Sequence, residues 1–320
     1  MASGGSRTAL IGHTGFVGGQ LARDRQFSET FNSSNVDRLE GSFDLLVCAA
    51  APGSMVAANS VPDEDRAAID ALVEKLRATR AKQFVLISTI AVLADWGAGL
   101  DEDTDRFETE KAYGRHRHLL EIACADHFDR CLIVRLPALY GQGLKKNFLF
   151  DLANPVPSLL KAPSYEELRR DLPPVLARVV EATFAAPDAA GWARLDRAKL
   201  EAHPDRRPLE KELRATGRCA LRFHHPDTKL QCYGIDRLAD DLDRAIEAGI
   251  DRLHCAPEPL RTADIHRELT GEAMPVSAAT PHVEDMHSRH AHLWGRPAPY
   301  IEGADSVITR LKGFMVKDAV

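Results

Sequence analysis

One stretch near the start of the chain, Thr8-Ala-Leu-Ile-Gly-His-Thr-Gly-Phe-Val-Gly-Gly-Gln-Leu21, constrains what the rest can become. Ala9 to Ile11 is an apolar run that reads as a buried strand. It breaks into Gly12-x-x-Gly15-x-x-Gly18, and Val17, Leu21 and Ala22 then fall at helical spacing. Strand, glycine turn and helix are the parts that a dinucleotide pyrophosphate requires. Gly12 permits the tight turn, Gly15 lets backbone N–H groups approach the phosphates, and Gly18 lets the helix pack close to the strand. The helix N-terminus meets the negative charge with free N–H groups and the positive end of its dipole. A plain glycine-rich turn is the competing reading of the glycines alone. The flanking strand and helix favour a nucleotide site built on Gly12, Thr14, Gly15, Phe16, Val17 and Gly18.

At 320 residues the chain can bury a sizeable core and hold one large or two smaller domains. Its formal net charge of −6 gives no general pull toward nucleic acid or an anionic membrane surface. Cys48, Cys124, Cys131, Cys219, Cys232 and Cys255 are scattered, with no C-x-x-C pair, and several lie in apolar runs. Buried reduced thiols fit this pattern better than a disulfide framework. No apolar run reaches membrane-spanning length, and the polar lead-in Met1–Ser6 lacks a signal-peptide core. The expectation is a cytoplasmic protein with neither a membrane nor a nucleic acid as partner.

Further along, strands and helices alternate. Short strands are expected at Glu29–Ser34, Phe43–Cys48, Phe84–Thr89 and Cys131–Val134, and helices from Pro62 and over Glu108–Phe128. This predicts an α/β fold, a Rossmann-type doubly wound parallel sheet, with ligands at the carboxyl ends of its strands. Beyond Gly141 the alternation becomes irregular. Helical patterns appear at Val175–Thr183, Gly234–Ile246 and Thr262–Thr270, and Arg252–Ala256 can return a strand to the sheet. The expected division is a dinucleotide-binding domain of residues 1–141 and about 234–258. A smaller, discontinuous C-terminal substrate region then comprises 142–233 and 259–320.

Thr89 closes one strand at the nucleotide end, and Tyr113 and Arg117, four residues apart, share a face of the next helix. A hydroxyl, a phenol and a cation beside a nicotinamide suit carbonyl–alcohol interconversion. The phenol ordinarily titrates near about 10, and an adjacent cation favours its phenolate. Taken singly, a capping threonine and a half-buried tyrosine are the plainer readings.

Together these residues resemble the extended short-chain dehydrogenase/reductase family, which includes nucleotide-sugar epimerases, dehydratases and ketoreductases. The resemblance covers chiefly the first half of the chain. It is carried by Gly12-x-x-Gly15-x-x-Gly18, by Ala49, Ala50 and Ala51 after the third strand, and by Ser88-Thr89-Ile-Ala-Val92. Tyr113-Gly-x-x-Arg117 and Arg135-Leu-Pro-Ala-Leu-Tyr-Gly141 complete it. It implies that Thr89 and Tyr113 are the catalytic pair, that Pro137 lines the nicotinamide side, and that Ala49–Ala51 border the cofactor. It also implies a homodimer packed through helices near Ala67–Arg77 and Glu108–Phe128.

The family pattern is Tyr-x-x-x-Lys, and Arg117 stands where lysine is expected. Arginine can hold ribose hydroxyls and keep a positive field on Tyr113, but it cannot release a proton into a relay. Arg117 is therefore read as a cofactor-binding ribose anchor and catalytic helper; a degenerate site is the alternative. Related dehydratases place an acidic pair after the catalytic threonine, whereas Ile90-Ala91 follow Thr89 here, which disfavours dehydration. At the end of the second strand Ser33, Ser34 and Arg38 offer donors and positive charge, with Asp37 the one nearby acid. That leans toward NADP, with NAD as the alternative.

Lys145, Lys146 and Asn147 can hold a substrate phosphate, or else form an exposed basic pair on a loop. Asp63, Glu64 and Asp65 read as first-turn helix acids, and His287, His290 and His292 as a surface cluster, so no metal site is expected. His116 and His118 read as surface residues, and His224-His225-Pro226-Asp227 as a loop that can contact substrate. The leading expectation is an NAD(P)-dependent reductase of a sugar or nucleotide-sugar carbonyl. An epimerase is the alternative within that chemistry, and a non-catalytic dinucleotide sensor is the alternative outside it.

Overall fold

The computed structural model describes residues 6–318, so most of the polar lead-in lies outside the described residues. β1 (Thr8–Ile11), α1 (Phe16–Asp24), β2 (Glu29–Phe31), β3 (Gly41–Cys48), α2 (Met55–Ser60), α3 (Pro62–Arg77), β4 (Thr79–Thr89), α4 (Ala112–His127) and β5 (Cys131–Leu136) open the chain. They are followed by β6 (Ala138–Tyr140), α5 (Phe148–Ala153), β7 (Leu159–Lys161), α6 (Ala162–Asp171), α7 (Pro174–Thr183), β8 (Trp192–Arg194), α8 (Arg197–Glu201) and α9 (Arg206–Ala215). The chain closes with β9 (Lys229–Leu230), β10 (Cys232–Gly234), α10 (Leu238–Glu247), β11 (Arg252–His254), β12 (Leu260–Arg261), α11 (Thr262–Thr270) and α12 (Ala304–Asp318).

Six strands form one sheet in the order β11-β5-β4-β3-β1-β2, and every neighbouring pair is parallel. Both faces of such a sheet must be covered, which explains its near-continuous apolar strands. One face packs Leu10, Val47, Val85 and Val134 against Leu21, Leu238 and Leu242; the other packs Ile11, Leu46, Phe84 and Leu86 against Ile69, Leu76, Leu120 and Phe128. A third apolar cluster, with Phe148, Leu160, Val180, Leu209 and Leu311, lies among the helices of the later chain. The parallel pair β6–β10 carries the chain from the sheet end into that region and back.

The glycine turn is set by close approach. Gly12 has φ +91°, and a Cβ there would overlap the Ala49 carbonyl. A Cβ at Gly18 would overlap the Gly12 carbonyl, so α1 can sit this close to the end of β1 only with glycine at 18.

Several boundaries differ from expectation for identifiable reasons. β2 stops at Phe31 because Asn32 and Asn35 turn the chain: Asn35 Oδ1 accepts from Asn32 N–H and Asn32 Oδ1 from Ser34 N–H. The helix expected from Glu108 starts at Ala112, because Glu108 Oε1 accepts from the N–H groups of Glu110 and Lys111. The pattern at 234–246 is three elements: the end of β10, a 3-10 turn at Ile235–Arg237, and α10. Among the described residues no helix is long and apolar enough to cross a membrane.

Candidate active site

β1, β3, β4 and β5 all end at one edge of the sheet, where the glycine turn, Ala49–Ala51, Thr89 and Pro137 come together. β4 and β5 pair with Thr89 opposite Leu136, so buried Pro137 and then Ala138 lie just past the level of Thr89. Thr14 and Gly15 are exposed at the start of α1. Gly15 is its N-cap, with no side-chain cap and no acid in the first turn, so the free N–H groups there suit an anion. The glycine cradle and this helix start fit the pyrophosphate of a dinucleotide.

Tyr113 is brought to Thr89 by a backbone contact. A Cβ at Gly114 would overlap the Ala91 carbonyl, so the first turn of α4 rests directly on the turn that follows Thr89. Asn59 from α2 accepts from Tyr113 N–H at 3.0 Å and fixes the helix start. Thr89 Oγ1 accepts from Ala91 N–H at 3.2 Å, which caps the turn and leaves its hydroxyl hydrogen to be donated toward the Tyr113 phenol.

Arg117 lies beneath the tyrosine. Its guanidinium carbon is 4.0 Å from the centre of the Tyr113 ring. Nη1 donates to Asp65 Oδ2 at 2.5 Å and to the Tyr113 carbonyl at 3.3 Å, and Nη2 donates to the Pro52 carbonyl at 2.5 Å. Nε is buried without a partner among the described residues. Three of its five N–H bonds are thus used by protein oxygens, so Arg117 clamps the fold, and any ribose contact falls to the two that are left.

Burial pushes the Tyr113 phenol above its ordinary value, and the opposing pull of Arg117 and the Thr89 hydroxyl does not outweigh it. This corrects the expectation that the cation brings the phenolate within reach of neutral pH. Tyr113 rests as a phenol, a proton donor.

Asp65, read as a helix-start acid, is buried and joins Arg117 to His116, whose Nδ1 lies 2.8 Å from the same oxygen. Burial pushes its carboxyl up, but Arg117 and His116 pull harder and hold it below the ordinary range. His116 is therefore not a surface residue, while His118 is half-buried and stacks on Phe107 with ring centres 3.8 Å apart. A second buried network stands behind Thr89. Glu121 accepts from Ser88 Oγ at 2.5 Å and from Arg135 at 2.6 and 3.1 Å, and Arg135 Nη1 reaches His254 Nε2 at 3.0 Å. Burial raises Glu121, but His118, Arg135 and Ser88 together bring it down to about 2.

At the end of β2, Asp37 is drawn to Lys75 at 2.6 Å, which leaves Ser33, Ser34 and Arg38 exposed. Lys145 is exposed, and Lys146 donates to the Gly53 carbonyl at 3.0 Å, reaching across to the loop after β3. Asn147 also has a structural role: its Oδ1 caps α5 at Leu149 and Phe150, and its Nδ2 donates to the Leu139 carbonyl, which leaves one amide N–H. His224 lies 2.7 Å from Asp151, and Asp227 pairs with Arg261.

Sequence reasoning missed Asp65 and Asn59, which act across the fold rather than within a motif. An acid, a histidine and an arginine on two consecutive helices were the available signal.

No family model matches the chain, and no curated protein sequence matches it. Solved structures do. A dTDP-4-dehydrorhamnose reductase from Bacillus anthracis in complex with NADP superposes with a TM-score of 0.60 at 14% identity, covering 99% of this chain and 100% of that one. The fold is that of these enzymes. A UDP-galactose 4-epimerase gives 0.58 at 13% identity, covering 97% of this chain and 99% of its own. An NAD-dependent NDP-hexosamine 5,6-dehydratase involved in tunicamycin biosynthesis gives 0.59 at 16% identity, covering 98% and 99%. A reductase, an epimerase and a dehydratase thus share this architecture over their whole lengths, and the chemistry is decided by the site.

Proposed function

We propose that the protein is an NAD(P)-dependent oxidoreductase of the extended short-chain type that reduces a sugar or nucleotide-sugar carbonyl. The carrying observation is the seating of Tyr113 on the turn after Thr89, with the Arg117 guanidinium against its ring, beside a glycine cradle for a dinucleotide. Gly12, Gly15 and Gly18 with the first turn of α1 hold the pyrophosphate, and Ala49–Ala51 and Pro137 border the rest of the cofactor. Ser33, Ser34 and Arg38, with Asp37 turned to Lys75, favour the phosphorylated ribose of NADP over NAD.

When bound, the nicotinamide supplies the hydride. Thr89 donates a hydrogen bond that orients the carbonyl oxygen, and Tyr113 passes its phenolic proton to that oxygen as charge develops. The buried Arg117 cation stabilises the phenolate left behind, while Asp65 and the Pro52 carbonyl hold it in place. The substrate region is assigned to 142–233 and 259–320, with Lys145 and Lys146 at its mouth. The protein is placed in the cytoplasm as a homodimer through the helices α3 and α4.

Fluorescence titration with NADPH and NADH tests the reading, together with analysis of nucleotide released on denaturation. Tighter NADPH binding to an empty protein is the expected result. Co-purified NAD points instead to the epimerase, and no binding of either nucleotide contradicts the assignment.

A further inference from the structure

Six acidic side chains are buried among the described residues: Asp65, Glu102, Glu121, Asp241, Glu284 and Glu302. Asp65, Glu121, Asp241 and Glu302 each pair with an arginine. Glu102 accepts from His254 N–H, Ser288 Oγ and Arg289 N–H. Glu284 has neither an arginine nor a hydroxyl, and is held by backbone amides. Its Oε2 accepts from Gln231 N–H at 3.2 Å and the Ala138 amide faces the carboxyl, while Oε1 stands 3.9 Å from His282 Nε2, beyond hydrogen-bond reach. Burial pushes this carboxyl up to about 7, which two backbone amides only partly offset. A buried carboxyl without a cation costs stability, and such groups gather at functional sites.

Its position in the fold gives that cost a purpose. Ala138 lies two residues beyond Leu136, the β5 partner of Thr89, and directly after Pro137. The next residue, Asp285, donates its N–H to the Trp96 carbonyl at 2.6 Å, and Trp96 lies on the loop that leaves the Thr89 turn. Trp96 in turn has the Lys111 ammonium 5.9 Å from its ring, and Lys111 is the residue before α4. Glu284 therefore stands at the carboxyl end of the sheet, in a segment that packs on the turn and loop following Thr89, where Met286 meets Ile90, Val92 and Leu93.

We propose that Glu284 is a specificity-determining residue of this site, whose Oε1 accepts a hydrogen bond from a hydroxyl or ammonium group of the sugar. This rests on the oxidoreductase reading. The carboxylate is the binding form, so substrate affinity rises as pH rises through about 7. Few titratable groups intrude: His282 from the same segment and the Cys232 thiol of β10, while Asp285 turns to Tyr300 and His287.

The test uses the full chain with NADPH and a panel of free and nucleotide-linked keto-sugars, some bearing an amino group. Glu284→Gln should bind NADPH as the wild type does, which also shows that it folds. For the sugars the wild type reduces, it should raise KM about tenfold with kcat within about threefold, and its KM should lose the wild-type pH dependence. A wild-type KM and an unchanged sugar preference in Glu284→Gln overturn the role of Glu284 and leave the oxidoreductase standing. Failure of the wild type to reduce any member overturns the reading itself, and this proposal with it.

Discussion

The guanidinium carbon of Arg117 lies over the phenol ring of Tyr113, 4.0 Å from its centre, and Asp65 holds the cation at 2.5 Å. The arginine is thereby part of the fold before any cofactor arrives. Its positive charge sits under the ring while its terminal nitrogens hold α3 and the loop after β3 to α4.

Removing that cation should therefore be felt by the empty protein. Arg117→Met leaves Asp65 buried with only His116, and breaking a buried pair from one side costs about 3–5 kcal/mol. Chemical denaturation without nucleotide is expected to show that loss. Arg117→Lys keeps the charge but not the two-sided clamp, and should lie between Arg117→Met and the wild type.

The two buried carboxylates predict the acid limb of the stability curve. Asp65 and Glu121 are both held below their ordinary values, Glu121 at about 2. Their stabilisation is fully present above the unfolded carboxyl range and is lost as pH falls through the folded values. Stability should thus decline below about pH 4.5. In Glu121→Gln the baseline should be lower and the acid limb shallower, read by denaturant midpoints from pH 7 to pH 3.

The glycine turn was legible in the sequence because two of its glycines answer contacts that only glycine allows, at Ala49 for Gly12 and at Gly12 for Gly18. The strands were legible from their apolar runs, since a sheet covered on both faces permits little else. The clamp on Arg117 was not, because Asp65 lies 52 residues away and looks like any acid in a helix first turn. The structural role of Asn147 was hidden for a related reason: an amide beside two lysines looks like a ligand group, and only its positive φ and its bonds to Leu139, Leu149 and Phe150 show it closing a turn. The resting state of Tyr113 depended on burial, which a motif does not display.

Gly18→Ala tests the cradle. The added methyl must push α1 away from the Gly12 carbonyl, which moves the first-turn N–H groups off the phosphate position. NADPH affinity should fall at least tenfold in a fluorescence titration. Gly53→Ala, whose Cβ would meet open space, should leave it unchanged.

Arg38→Ala tests the nucleotide preference. With Asp37 engaged by Lys75, Arg38 is the exposed cation of that turn, so its loss should weaken NADPH binding about tenfold and leave NADH binding within about twofold. Titration of both nucleotides against both proteins reads the ratio directly.

The central claim is that Tyr113 gives the proton in carbonyl reduction. The most direct measurement is turnover of nucleotide-linked keto-sugars by Tyr113→Phe, with NADPH affinity determined on the same samples. The account predicts a fall in kcat of about a hundredfold or more with NADPH binding within about twofold of wild type. Turnover at the wild-type rate by Tyr113→Phe would contradict it.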